Sequence, residues 1–345
     1  MLRYEHGGNI YGGEKIKLDF SVNTNPMGLP ECVKTALRSD ESIYTRYPDT
    51  KCRTLRAAIG RYHGVREEQV LCGNGAADMI FRLCAWKKAK RVLLPAPTFS
   101  EYERSVRLFG GEICEYELSP ENGFLITREF AERISEDTDV VFLCNPNNPT
   151  GQLVPEDVMD DILERCRKLG VLLMADECFI EFTDGRSLVK KLDEYPNLLI
   201  LRAFTKLYAM AGLRLGYMLG NKSILEQMSV YGAEWNVSGP AQAAGIAALK
   251  AEPEWTRKSR SLAARERGFM TEELRGMGIT VFPSAANFML LKSNELLHEE
   301  LKKRGIYTRG CGNFSGLDES YIRIALRNRE DNEILLDAVR EVVYG

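Results

Sequence analysis

One lysine in this chain stands where it could hold a ligand covalently. In "LRAFTKLYAMAGLRLG", residues 201–216, Lys206 follows an apolar run and precedes a glycine turn, with Arg214 eight positions further on. A lysine there is by default surface charge, yet a partly buried amine with a lowered pKa can form a Schiff base with an aldehyde. Thr205 and Arg214 beside it are suited to gripping a phosphate. Three other stretches add donors and acceptors. "CGNGAAD", Cys72 to Asp78, offers glycines that let backbone approach a ligand and opens a helix whose free N–H groups attract phosphate, although such turns are often only tight turns. "CNPNNPTGQ", Cys144 to Gln152, reads as a rigid turn from which Asn148 could aim its amide at a polar ligand atom. "MADECFIEF" ends a very apolar strand with Asp176 and Glu177. A buried carboxylate needs a partner, so Asp176 either pairs with a structural arginine or faces a cationic ligand nitrogen.

Together these groups describe a receptor for a phosphorylated pyridine aldehyde, pyridoxal phosphate. The helix start, Thr205 and Arg214 would hold its phosphate, Asp176 its ring nitrogen, Asn148 its phenolic oxygen and Lys206 its aldehyde carbon. A nicotinamide site is a poorer fit, because "GNGAAD" meets only part of the three-glycine fingerprint and leaves the lysine without a role.

The elements that must position these residues are legible as a pattern. Between residues 69 and 220, the apolar runs "QVLC", "RVLLPAP", "EICEYEL", "DVVFLCNP", "VLLMADE", "LLILRAFTK" and "LGYMLG" alternate with helical periodicity. Several are continuous rather than alternating, as strands buried on both faces read, which predicts an α/β lobe around a largely parallel sheet. A helix is expected from Pro155 to Leu169, with Val158, Ile162, Cys166 and Leu169 on one face and Gly170 at its end, and another from Ala77 to Trp86. After Pro240, long amphipathic stretches surround the short strands "ITVF", "NFMLLK" and "YIRIAL", a smaller α+β lobe. The expected division is an N-terminal arm over residues 1–40 packing on the small lobe, a large domain over 41–240 and a small domain over 241–345.

Composition narrows the function classes. Of the 345 residues, 44% are hydrophobic and 28% charged, the balance of a folding chain. The formal charge of −3 and the absence of a dense basic run argue against nucleic acid and for a small-molecule ligand. No apolar run approaches the roughly 18 residues of a membrane span, and "MLRYEHGGNIYGGEK" lacks the apolar stretch of a signal peptide, so a cytoplasmic location is expected. The nine cysteines are scattered and the three histidines have no helical i, i+4 partner, so no metal is expected.

The ordered set "GNGAAD", "PTFSEY", "NPNNPTG", "DECFIEF", "FTKLYAMAGLRLGY" and "YIRIAL" covers essentially the whole chain and resembles the fold-type I aminotransferases of class I/II. The resemblance implies their architecture, a large lobe with a mostly parallel central sheet flanked by helices plus a smaller α+β lobe. It also implies catalytic roles for Lys206 and Asp176, backbone contacts from Ala76 and Ala77 to the cofactor phosphate, and stacking of Phe99 on the pyridine ring. Tyr47 of "RYPD" would reach the cofactor phosphate of the neighbouring subunit, making the active unit a homodimer. Arg323 in "YIRIAL" matches the family arginine that holds the substrate α-carboxylate, a bidentate task suited to guanidinium.

Two branches of the family are similar to this chain, L-threonine-O-3-phosphate decarboxylase of cobalamin side-chain synthesis and histidinol-phosphate aminotransferase. "HGGN" at His6 to Asn9, "FSVNTNPMG" at Phe20 to Gly28 and "RGCGNFSGLDESYIRIALRN" at Arg309 to Asn328 favour the decarboxylase. His6, beside two glycines, could reach over the site to a substrate phosphate, with Asn23 and Arg309 nearby; its bland alternative is a histidine on a loose arm. Phe179 stands where aminotransferases commonly carry a tyrosine that donates to the phenolic oxygen, leaving Asn148 as the main donor. The reaction expected is decarboxylation of L-threonine O-3-phosphate to 1-amino-2-propanol O-2-phosphate, with transamination using 2-oxoglutarate as runner-up. Which of the two occurs depends on which bond to Cα stands perpendicular to the conjugated plane.

Overall fold

The computed structural model describes residues 6–11, 16–294 and 296–345. Its strands are, in chain order, β1 (Leu18–Asp19), β2 (Val70–Gly73), β3 (Arg91–Ala96), β4 (Glu112–Glu117), β5 (Val140–Cys144), β6 (Leu172–Asp176), β7 (Leu198–Ala203), β8 (Gly216–Leu219), β9 (Thr280–Val281), β10 (Phe288–Lys292), β11 (Ile306–Tyr307), β12 (Arg309–Gly310) and β13 (Tyr321–Ala325). Seven of them form one sheet in the order β2-β8-β7-β6-β5-β3-β4. β3, β4, β5, β6 and β7 pair in parallel, whereas β8 runs antiparallel to both β7 and β2. The apolar runs explain the placement: every residue of β5 and β6 is buried, as a central strand covered by helices on both faces requires.

The crossover helices follow local signals. The helix between β5 and β6 spans Glu156–Leu169, begins one residue later than the sequence pattern suggests because Pro155 takes the capping position, and ends at Gly170 with φ +66°. Glu156 and Asp157 in its first turn and Arg167 and Lys168 in its last oppose the helix dipole. The helix after the glycine-rich loop spans Ala76–Lys87. Three further helices span Arg53–His63, Glu101–Leu108 and Arg329–Tyr344.

β12, β13, β10 and β9 form a four-stranded antiparallel sheet. The N-terminal segment joins this part of the molecule: β1 pairs in parallel with β11, Phe20 N donates to Tyr307 O (2.6 Å), and Ala325 N donates to Phe20 O (2.8 Å). The core runs through both parts, from Phe142 and Leu199 in the large sheet to Phe288 and Leu290 in the small one. Cys144, Asp176 and Ala203 close the C-terminal ends of β5, β6 and β7, the edge at which open α/β sheets present ligand-binding loops.

Candidate active site

A cavity of about 450 Å³ opens at that edge. It is lined by residues brought together from widely separated parts of the chain, among them His6, Asn23, Ala76, Ala77, Phe99, Asn148, Asp176, Thr205, Lys206, Arg214, Arg309 and Arg323. These are all the residues singled out from the sequence except Tyr47.

Lys206 lies in the short helix Phe204–Leu207 that continues β7. Phe204 and Leu207 are buried and anchor the turn, so the intervening Thr205 and Lys206 reach the cavity wall. Burial, then the nearby Arg323, pushes the lysine amine down from the usual 10.5 to about 8. Its Nζ sits 5.5 Å from the centre of the Phe179 ring, and that ring meets Phe288 edge-on at 5.0 Å. The lysine is therefore not the solvated surface charge that is the default for its type.

Asp176 is buried, and its partners are neutral. Tyr102 Oη donates to Oδ2 at 2.7 Å and Cys178 N donates to Oδ1 at 2.9 Å. Tyr102 is itself clamped against Phe142, ring centres 5.1 Å apart and nearly parallel. Burial beside Asp176 pushes the Tyr102 phenol well up, so it remains a donor. The structural arginine offered to Asp176 goes to its neighbours instead: Arg202 Nε lies 3.7 Å from Glu177 Oε2 and Nη1 lies 3.1 Å from Glu181 Oε1. A carboxylate left with neutral donors suits a protonated ring nitrogen.

The phosphate end is built from backbone. Gly75, at φ +84°, precedes the Ala76–Lys87 helix, whose start has no side-chain cap. A Cβ on Gly75 would fall 2.7 Å from Arg214 Nη2, and one on Gly216 would fall 2.5 Å from Ala76 N. Free helix N–H groups, an arginine and a hydroxyl from Thr205 thus meet around a space kept open by glycine, which fits a phosphate.

The opposite wall carries the substrate-side groups. Arg309 and Arg323 are cross-strand partners on β12 and β13, both buried. Like charges opposite each other repel, and burial with Arg309 nearby pushes Arg323 down to about 10. Arg323 Nη2 donates to Ser21 O at 2.7 Å and Nη1 donates to Asn148 Oδ1. Because guanidinium only donates, the Asn148 oxygen must face it, which leaves the amide NH₂ as a donor. Asn23 Oδ1 and Arg323 Nε are buried and have no partner among the described residues. Arg309 donates to Asn313 Oδ1 at 2.7 Å and lies over the Phe314 ring.

His6 is docked, not loose. Its Nε2 is 2.7 Å from Glu101 Oε1 and its ring lies 5.7 Å from that of Phe99. Glu101, Tyr102, Ser21 and Phe314 were not singled out from the sequence. Glu101 and Tyr102 belong to the quoted "PTFSEY", so their helix start was the available signal. Tyr47 is 82% exposed, meets Trp235 at a tilt with ring centres 4.8 Å apart, and does not line the cavity of its own chain.

Fold and site together define a pyridoxal-phosphate enzyme of fold type I. The chain belongs to the family described as aminotransferase class I and II, which matches residues 15–339. The threonine-phosphate decarboxylase of Salmonella typhimurium strain LT2 is 35% identical over 100% of this chain and 98% of its own. Among solved structures, the histidinol-phosphate aminotransferase from Clostridium acetobutylicum is 31% identical with a TM-score of 0.89, covering 95% of this chain and 99% of that one. The L-threonine-O-3-phosphate decarboxylase from Porphyromonas gingivalis is 25% identical with a TM-score of 0.85, covering 95% of this chain and 100% of that one.

Proposed function

We propose that this chain removes the carboxyl group of L-threonine O-3-phosphate, yielding carbon dioxide and (R)-1-amino-2-propanol O-2-phosphate for cobalamin side-chain synthesis. One observation carries the reading: the buried cross-strand arginines Arg309 and Arg323 line one cavity together with His6. A substrate bearing both a carboxylate and a phosphate offsets the repulsion of that pair. The full-length similarity to a threonine-phosphate decarboxylase supports it.

In this reading Ala76, Ala77, Thr205 and Arg214 hold the cofactor phosphate, joined by Tyr47 of the partner subunit in a cytoplasmic homodimer. Phe99 covers the ring, Asp176 keeps its nitrogen protonated, and the Asn148 amide faces its phenolic oxygen. When bound, pyridoxal phosphate supplies an electron sink for the charge left on Cα as carbon dioxide departs. Arg323 holds the substrate carboxylate, while His6, Asn23 and Arg309 take the phosphate. Lys206, with its amine near 8, returns a proton to Cα. The division into an arm over 1–40, a large domain over 41–240 and a small domain over 241–345 belongs to the same proposal and is supported by the β1–β11 pairing.

Carbon dioxide release from L-threonine O-3-phosphate by pyridoxal-phosphate-saturated protein tests it, with Lys206→Ala as control. Rapid, lysine-dependent release is expected. The second reading, transamination, is favoured by the high TM-score to a histidinol-phosphate aminotransferase. Conversion of the bound cofactor to pyridoxamine phosphate by glutamate, without carbon dioxide release from the phosphoamino acid, would establish it instead.

A further inference from the structure

The contact between His6 and Glu101 joins residues 95 positions apart. Glu101 opens the Glu101–Leu108 helix two residues after Phe99 and is only 5% exposed. Burial by itself would raise a carboxyl pKa, yet the hydrogen bonds from His6 and Arg104 outweigh it and hold Glu101 below the usual range. Its Oε1 takes His6 Nε2 at 2.7 Å and Arg104 Nη1 at 3.2 Å. The charged groups that line the cavity with His6 are Glu101, Arg104, Asp176, Lys206, Arg214, Arg309 and Arg323, and a second cavity that His6 also lines adds His298, Glu299, Lys302 and Glu319.

The backbone next to His6 is anchored independently. Gly8 N donates to Ser21 Oγ at 2.8 Å, and a Cβ on Gly7 would fall 2.2 Å from Ser21 O. These contacts fix where the segment runs, but not which way the imidazole turns. Its side chain still has rotamers to choose from, and Glu101 is the acceptor that selects one.

We propose that Glu101 is a positioning residue that aims His6 into the cavity and so sets selectivity for phosphorylated over unphosphorylated amino acids. This rests on the reading of His6 as a contact to the substrate phosphate. In the imidazolium form both ring nitrogens donate, so a carboxylate that accepts from Nε2–H fixes the ring and leaves Nδ1–H to donate toward an anion. Glu101 acts through His6, and its negative charge alone would oppose a phosphate, so its loss weakens binding only if orientation is its contribution.

The test compares the affinities of the pyridoxal-phosphate-loaded protein for 1-amino-2-propanol O-2-phosphate and for unphosphorylated 1-amino-2-propanol, measured by calorimetry. Glu101→Gln is expected to weaken the phosphorylated amine about tenfold while leaving the other within about twofold, the size of one charged hydrogen bond. In a His6→Ala background the same substitution is expected to change the ratio by less than about twofold, because its route of action is gone. Glu101→Asp, which keeps the charge but shortens the reach, shifts the ratio in the same direction and serves if the glutamine variant does not fold. If His6→Ala collapses the ratio and both Glu101 variants keep it, the positioning role is overturned and the phosphate reading of His6 stands. If His6→Ala itself leaves the ratio unchanged, that reading falls and this proposal with it.

Discussion

At the scale of the residue, Lys206 has the properties of a group held ready for chemistry at a cost in stability. Its amine is pushed down to about 8 by burial and then by Arg323, against 10.5 for an ordinary lysine. Between those values the unfolded chain binds more protons than the folded one, so this group's contribution to stability rises with pH across that window and is flat, and unfavourable, below it. Lys206→Met in cofactor-free protein is therefore expected to raise stability by about 1–3 kcal/mol at pH 7 and by much less near pH 10. Denaturant unfolding at the two pH values measures this; an equal gain at both would show that the lysine carries no shifted charge. Asp176 illustrates the complementary case, a buried carboxylate satisfied by a phenol and a backbone N–H, with no ion pair among the described residues. The sequence placed both residues correctly at strand ends but could not say which partner each would find.

At the scale of the element, the site depends on how closely β8 approaches the Ala76–Lys87 helix. β8 lies between β2 and β7, and Gly216 is the Cα partner of both Gly73 and Ala203. A side chain at Gly216 would meet Ala76 N, which is backbone and has little room to yield. Gly216→Ala is expected to destabilise the fold by about 1–3 kcal/mol and to weaken pyridoxal phosphate binding at least about tenfold, read by titrating the cofactor into the apoprotein. Unchanged cofactor affinity would mean that the helix start does not hold the phosphate. The glycine-rich loop, its helix and the buried strands were legible in the sequence because each rests on local signals, periodicity and turn chemistry. The Glu101–Leu108 helix carries such a pattern too, with Tyr102, Ser105 and Val106 at i, i+3 and i+4 on its buried side, but that stripe is short and does not say what the helix packs against.

At the scale of the whole molecule, Tyr47 is exposed beside Trp235, and the proposed homodimer assigns it to the neighbouring site. If Tyr47 of the partner subunit completes each site, mixing Lys206→Ala protein with Tyr47→Ala protein under conditions of subunit exchange should give more activity than the two separately. Each mixed dimer then holds one site with an intact lysine and an intact tyrosine. Activity equal to the sum would place Tyr47 outside the neighbouring site.

By itself the sequence determined the buried parallel strands, the turns at their ends and the residue types that fit pyridoxal phosphate, because those features are written within short stretches of chain. Tertiary structure decided which distant groups share a wall. Arg323 meets the carbonyl of Ser21 across 302 positions, His6 meets Glu101 across 95, and Arg309 faces Arg323 through the register of two short strands. Sheet order and strand register set those meetings, and both follow from packing the whole core rather than from any local pattern.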